Sequence, residues 1–177
     1  MPIIFLDTET TGLDPLQGHE IIEIAIITEF NDGTQEIWET KIKPNRLELA
    51  NPKALEINRY NDKDWVNAIP MSEAIKEIAK RLKKGLLIGY NPYFDWGFIQ
   101  SAMKEYDISP SYRIRCIDVM VFVHEHLQPK GLKYLSLDAV RDFLGWDKTG
   151  NHSAMKDTLD TKKLYYLLKT DYDNDIL

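Results

Sequence analysis

The sequence predicts an α/β fold in which helices cover a mixed sheet, and three observations lead there. The early chain, Met1 to Lys43, is β-prone and is broken by the turn signal Asn31-Asp32-Gly33. After Pro44 the apolar period changes from strand-like to helical. From there short apolar runs alternate with amphipathic stretches in the order helix, strand, helix, strand, helix, helix.

Met1 to Thr8 reads as a strand apolar on both faces, as the central strand of a covered sheet is. Glu20 to Phe30 alternates less cleanly, but Ile21, Ile22, Ile24, Ile26 and Ile27 make it strongly β-prone. Thr34 to Lys43 is the third strand of a meander, ended by Pro44. Ser72 is a candidate N-cap for a helix whose apolar face is Ala74, Ile75, Ile78, Ala79 and Leu82, with Gly85 as its closing residue. Leu86-Leu87-Ile88 is a short buried strand, and Phe94 to Tyr106 a helix with Phe98, Ile99, Ala102, Met103 and Tyr106 on one side. Ile114 to Phe122 reads as a fifth strand that could pass early into helix, and Leu137 to Leu144 and Asp157 to Leu168 as helices. No internal repeat or long linker divides the chain. Residues 1–170 are read as one domain and 171–177 as an acidic, flexible tail.

At 177 residues, 44% hydrophobic and 28% charged, the chain has globular proportions and can bury an ordinary core. A single cysteine, Cys116, excludes an intrachain disulfide and a thiolate metal cluster, and fits a reducing, cytoplasmic setting. Met1 to Phe5 lacks the basic start and apolar stretch of a signal peptide, and no apolar run approaches the ~20 residues that span a bilayer. No membrane role is therefore expected. No Gly-x-x-x-x-Gly-Lys loop is present, which argues against a P-loop nucleotidase.

Three short segments concentrate the chemistry. The first is Phe5-Leu6-Asp7-Thr8-Glu9-Thr10-Thr11-Gly12. Residues two apart in a strand point the same way, so Ile3, Phe5, Asp7 and Glu9 share a face with both acids at its C-terminal end. Side by side, two carboxylates repel unless a cation or a proton sits between them. An isolated Asp-x-Glu reads first as a solvated acidic turn. Here it follows an apolar strand and precedes Thr-Thr-Gly, whose backbone can approach a ligand closely.

The second segment is Gly89-Tyr90-Asn91-Pro92-Tyr93-Phe94-Asp95. An acid in a first helical turn is ordinarily explained by the helix dipole, worth ~0.5 kcal/mol. Asp95, however, heads the apolar stripe Phe98, Ile99 and Ala102 instead of a solvent face. Asn91 caps or shapes the turn, and the aromatics Tyr90, Tyr93, Phe94, Trp96 and Phe98 read as packing residues before base-stacking ones.

In the third segment, His152-Ser153-Ala154-Met155-Lys156-Asp157, the histidine falls in a loop and the acid opens a helix whose face Thr161 and Leu164 continue. A histidine beside metal-bound water is a natural general base. His19, His124 and His126 are left as exposed side chains. The oxygen-only ligand set points to Mg²⁺ or Mn²⁺ rather than zinc. The net charge of −6 is unusual for a nucleic-acid binder, but two divalent cations would offset four carboxylates and leave about −2.

In this order and at these separations the segments resemble the three motifs of the DEDD-type 3′–5′ exonucleases, in the histidine-bearing, DnaQ-like subgroup. That family includes the proofreading subunit of bacterial replicative DNA polymerase. The resemblance runs from Ile3 to about Leu168. It implies a ribonuclease-H-like fold with a five-stranded mixed sheet. It also implies that Asp7, Glu9, Asp95 and Asp157 hold two metal ions, Asp7 bridging both, while His152 deprotonates the attacking water. The water would be acidified by one ion and the leaving 3′ oxygen steadied by the other, releasing a nucleoside 5′-monophosphate.

By the same resemblance Thr10, Thr11, Gly12 and Leu13 would touch the terminal nucleotide of a single-stranded 3′ end. Ile57, in Ala54-Leu55-Glu56-Ile57-Asn58, would pack against the last bases, with helix packing as its alternative role, and Asn91 would contact substrate. The second motif often begins His-Asn, whereas this chain has Tyr90-Asn91. The long C-terminal extension by which some proofreading subunits bind a polymerase is absent from this sequence, so a free-standing enzyme and a domain with a DNA polymerase partner both stay open. DNA is the favoured substrate, with RNA trimming as the alternative and a non-catalytic binding module as a further one. All five motif positions are occupied, which weighs against the last.

Overall fold

A computed structural model describes residues 1–83, 85–109 and 115–175, with side chains to residue 169. Strand β1 (Ile3–Thr10) lies inside a mixed sheet and pairs antiparallel with β2 (Ile21–Glu29), which pairs antiparallel with β3 (Gln35–Lys43). On its other side β1 runs parallel to β5 (Leu86–Gly89), and β5 parallel to β6 (Arg115–Asp118). This is the ribonuclease-H-like arrangement, a meander extended by two parallel strands.

The sheet has six strands rather than the expected five, in the order β4-β3-β2-β1-β5-β6. The added strand is β4 (Ile69–Pro70), parallel to the end of β3. Two residues are too few to leave an alternation signal. A proline, lacking an N–H, is tolerated there because the strand is at the edge.

Helices cover both faces. On one side α2 (Met71–Arg81) and α3 (Pro92–Glu105) bury Ile4, Leu6, Ile24 and Ile26 against Ile75, Ile78, Phe98 and Ile99. On the other, α4 (Val119–His126), α5 (Leu137–Leu144) and α6 (Ala154–Asp175) bury Phe5, Ile27 and Ile88 against Val123, Val140 and Leu164. The five isoleucines of β2 are all 0–1% exposed. Covering on both faces explains why that strand does not alternate, and each isoleucine contributes about 1.5–3 kcal/mol by burial.

Three local expectations are corrected. Ser72 does not cap α2: the helix opens at Met71 behind Pro70, without a side-chain cap bond. Gly85 does not close that helix; it borders β5, where an added Cβ would overlap the Ile4 side chain. The strand read over Ile114 to Phe122 is strand only from Arg115 to Asp118, and Ile114 lies outside the described residues. Val119 onward is helix because Asp118 Oδ1 accepts the Met120 N–H at 2.9 Å, an N-cap that overrides the β-prone Val-rich run. Residues 171–175, assigned to the acidic tail, are helical and continue α6; extending a formed helix is easier than starting one. Residues 176 and 177 lie outside the described residues. Among the described residues no helix is long and apolar enough to cross a membrane.

Candidate active site

Asp7 and Glu9 stand at the C-terminal end of β1, in the interior of the sheet. The β1–β2 register places Asp7 opposite Ala25 and Glu9 opposite Glu23, then shifts at a bulge between Glu9 and Thr10. Such a bulge ends regular pairing and bends the chain away. The first turn of α6 brings in Asp157, and carboxylate oxygens of Asp7, Glu9 and Asp157 all lie within 4.8 Å of one another. Glu23 is a further acid beside them, held in place because its Oε1 accepts the Ala154 N–H at 3.0 Å at the start of α6.

Asp95 is only 3% exposed and sits apart from that trio, in the first turn of α3. Its Oδ1 accepts both the Thr8 N–H (2.9 Å) and the Thr8 hydroxyl (2.6 Å). The chain reaches α3 through Asn91 in the left-handed region, φ 59°, where asparagine is among the more tolerant residues. Asn91 makes no side-chain capping bond; its N–H donates to Asp118 Oδ1 at 2.9 Å. Phe94, Trp96 and Phe98 pack as expected, whereas Tyr93 is 66% exposed. Tyr90, where a histidine is common, donates its hydroxyl to the Leu135 carbonyl and ties the end of β5 to the approach to α5.

The electrostatics follow from this crowding. Burial, then the charges of Asp95, Asp157 and Glu9, holds the Asp7 carboxyl well above the usual range. Burial likewise raises Glu9 to about 8, with Asp157 and Glu23 adding to it. Asp95 is raised to about 7 by burial, against the lowering effect of the two Thr8 bonds. Asp157 is raised by burial although the Arg141 guanidinium pulls it down. Four acids that resist ionisation together, with oxygen-only donors, form a site that a divalent cation would relieve. The donor set fits such an ion.

His152 lies in the loop before α6 with φ 60°, a conformation that costs a non-glycine residue on the order of 1–2 kcal/mol. Its Nε2 is 3.4 Å from Asp138 Oδ2, and its nearness helps to lower the Asp157 carboxyl.

The Thr10–Leu13 loop leaves β1 beside the acids. Thr10 Oγ1 donates to the Gly12 carbonyl (2.7 Å) and Thr11 Oγ1 accepts the Glu20 N–H (2.8 Å), so both hydroxyls are engaged inside the protein. What this loop presents outward is Leu13, which is 80% exposed. Gly12 packs on the His19 ring, where a Cβ would collide, and His19 Nδ1 accepts the Asp14 N–H at 3.1 Å. His19 is thus a loop-building residue and not the surface side chain expected.

Short helix α1 (Pro52–Ile57) is bracketed by two asparagines that hold the same loop. The Asn51 N–H reaches the Thr11 carbonyl (2.7 Å) and Asn58 Nδ2 the Thr10 carbonyl (2.8 Å). Ile57 is 41% exposed and belongs to neither core, which disfavours its helix-packing alternative. Sequence reasoning missed Thr8, Asn58, Asp138 and Arg141. The sequence marks Leu137 to Leu144 as a helix, but nothing local says that Arg141 turns inward.

The sequence model of the exonuclease family, RNase T type, matches residues 4–165. The chain belongs to this exonuclease family. Within it, the chain is 32% identical over 174 residues to the DNA polymerase III subunit epsilon of Rickettsia typhi, covering 93% of this chain and 72% of that protein. It is 29% identical over 162 residues to the PolC-type DNA polymerase III of Thermotoga maritima, covering 92% of this chain but only 11% of that much longer protein. The fold matches Escherichia coli exonuclease I, solved with a dT13 oligonucleotide, at a TM-score of 0.81 and 19% identity, over 96% of this chain and 41% of that one. The exonuclease-family match takes in Asp7, Glu9, Asp95, His152 and Asp157.

Proposed function

We propose that this exonuclease-family chain is a divalent-metal-dependent 3′–5′ exonuclease that acts in the cytoplasm on single-stranded or frayed DNA 3′ ends and releases nucleoside 5′-monophosphates. The observation that carries the proposal is the Asp7–Glu9–Asp157 carboxylate cluster, with Asp95 bonded to Thr8 between the first two acids and His152 on the loop that leads into α6. Asp7, Glu9, Asp95 and Asp157 would hold two ions, Mg²⁺ or Mn²⁺, Asp7 contributing to both. Bound there, divalent metal supplies acidification of the attacking water and charge stabilisation at the leaving 3′ oxygen. His152 takes the proton from that water. The exposed Leu13 and Ile57, with the backbone of Thr10 to Gly12 and with Asn91, receive the terminal nucleotides.

DNA is favoured over RNA because relatives on this domain are named as DNA polymerase III chains and the fold neighbour was solved with a DNA oligonucleotide. The same naming makes a DNA polymerase the candidate partner. The test is incubation of the protein with 5′-end-labelled DNA and RNA oligonucleotides, with Mg²⁺, with Mn²⁺ and with EDTA. Stepwise shortening of the DNA from its 3′ end is expected only with metal. Shortening from the 5′ end, or shortening unchanged in EDTA, overturns the proposal. Faster loss of RNA than DNA reassigns the substrate.

A further inference from the structure

Arg141 is 1% exposed, the largest fully buried side chain of the described residues, and the exonuclease motifs assign it no role. Each of its three guanidinium nitrogens pairs with an acid. Nε donates to Asp160 Oδ2 (2.7 Å), Nη1 to Asp138 Oδ1 (2.9 Å) and Nη2 to Asp157 Oδ1 (2.7 Å). Asp160 is answered a second time by Lys156 Nζ, at 2.7 and 2.8 Å. Asp138 also accepts Asn151 Nδ2 (2.9 Å) and faces His152 Nε2. One planar fork therefore touches a candidate metal ligand directly and the candidate base through a single carboxylate.

A buried ion network of this kind is a poor source of stability, because desolvating the charges offsets most of their attraction. What it supplies is geometry. A guanidinium gripping Asp157 Oδ1 restrains the carboxylate plane and leaves the other oxygen for a cation. We infer that Arg141 is a positioning residue of the exonuclease centre, orienting Asp157 for metal and, through Asp138, holding His152. This rests on the function proposed above.

The test uses the whole chain with Arg141→Lys and the charge-balanced Arg141→Gln/Asp160→Asn, reading Mn²⁺ affinity by calorimetry without DNA, melting temperature, and kcat and KM on a DNA oligonucleotide. Folded variants should lose ~10- to 100-fold in Mn²⁺ affinity and in kcat, with KM nearly unchanged, as loss of a ligand's outer partner does. Wild-type Mn²⁺ affinity and kcat in either folded variant overturns the inference. If neither folds, Asp138→Asn decides, since it leaves Arg141 in place. A ~10-fold loss of kcat at unchanged Mn²⁺ affinity then supports the inference, and a wild-type kcat overturns it. A wild-type protein that binds no Mn²⁺ and degrades no DNA is a distinct outcome, which overturns the functional reading and this inference together.

Discussion

Thr8 gives both of its donors to one oxygen of Asp95: the main-chain N–H at 2.9 Å and the hydroxyl at 2.6 Å converge on Oδ1. The bonds join the β1 segment that carries Asp7 and Glu9 to the first turn of α3, so the inserted acid is held in register with the other two. They also oppose the effect of burial on Asp95. Thr8→Val keeps the shape and deletes the hydroxyl bond. We expect a loss of roughly 1–3 kcal/mol in urea unfolding, as for a buried bond to a charged group, larger at pH 8 than at pH 6 because Asp95 ionises at about 7. An equal loss at both pH values would show that the bond does not depend on Asp95 charge.

Asp7→Asn should abolish nearly all nuclease activity while leaving the fold intact and stabilising the metal-free protein. Burial and the charges of Asp95, Asp157 and Glu9 already work against an ionised Asp7. In thermal melts the wild type should gain on adding Mg²⁺ or Mn²⁺ and the variant much less. Equal gains would remove Asp7 from the ligand set.

The raised carboxyls set the pH dependence of the metal-free protein. Glu9 and Asp95 lie at about 8 and about 7 when folded, against ordinary values of 4.5 and 3.8 in the unfolded chain. Between the two sets of values the folded state binds more protons than the unfolded state, so stability falls as pH rises. The fall should begin near the unfolded values, continue through about pH 8 and then level off. Asp138 and Glu29, whose values are lowered, act in the opposite sense but only at more acidic pH. A melting temperature in EDTA that stays flat or climbs from pH 5 to 8 would contradict this, and saturating metal should flatten the decline.

His152→Ala should lower the single-turnover rate by about 10²–10⁴-fold at saturating metal, the range of a general base. Metal affinity should change little, because carboxylates are the ligands. Rescue of the rate by more Mg²⁺ would instead place His152 in metal binding, and a wild-type rate would remove it from the reaction.

The sequence by itself determined the alternation of elements and singled out the residues of the proposed site. A β-prone, largely apolar composition marked β1, β2 and the short β5, and turn and proline signals bounded β3. Apolar residues on one side marked the helices α2 and α3, with α5 and α6 also read in sequence. Asp7, Glu9, Asp95, His152 and Asp157 were legible as candidates because their order and separations resemble the three exonuclease motifs. Tertiary structure alone decided what depends on contacts between distant segments. It paired the two-residue β4 with β3. It turned Gly85 into a point of close approach to Ile4, and it drew Thr8 and Arg141 onto the acids and Asn58 onto the Thr10 carbonyl. The physical reason is range. Periodicity and capping act within a few residues, whereas Arg141 meets Asp157 across 16 residues and Thr8 meets Asp95 across 87, separations that only the folded sheet and its helices bring within hydrogen-bond reach.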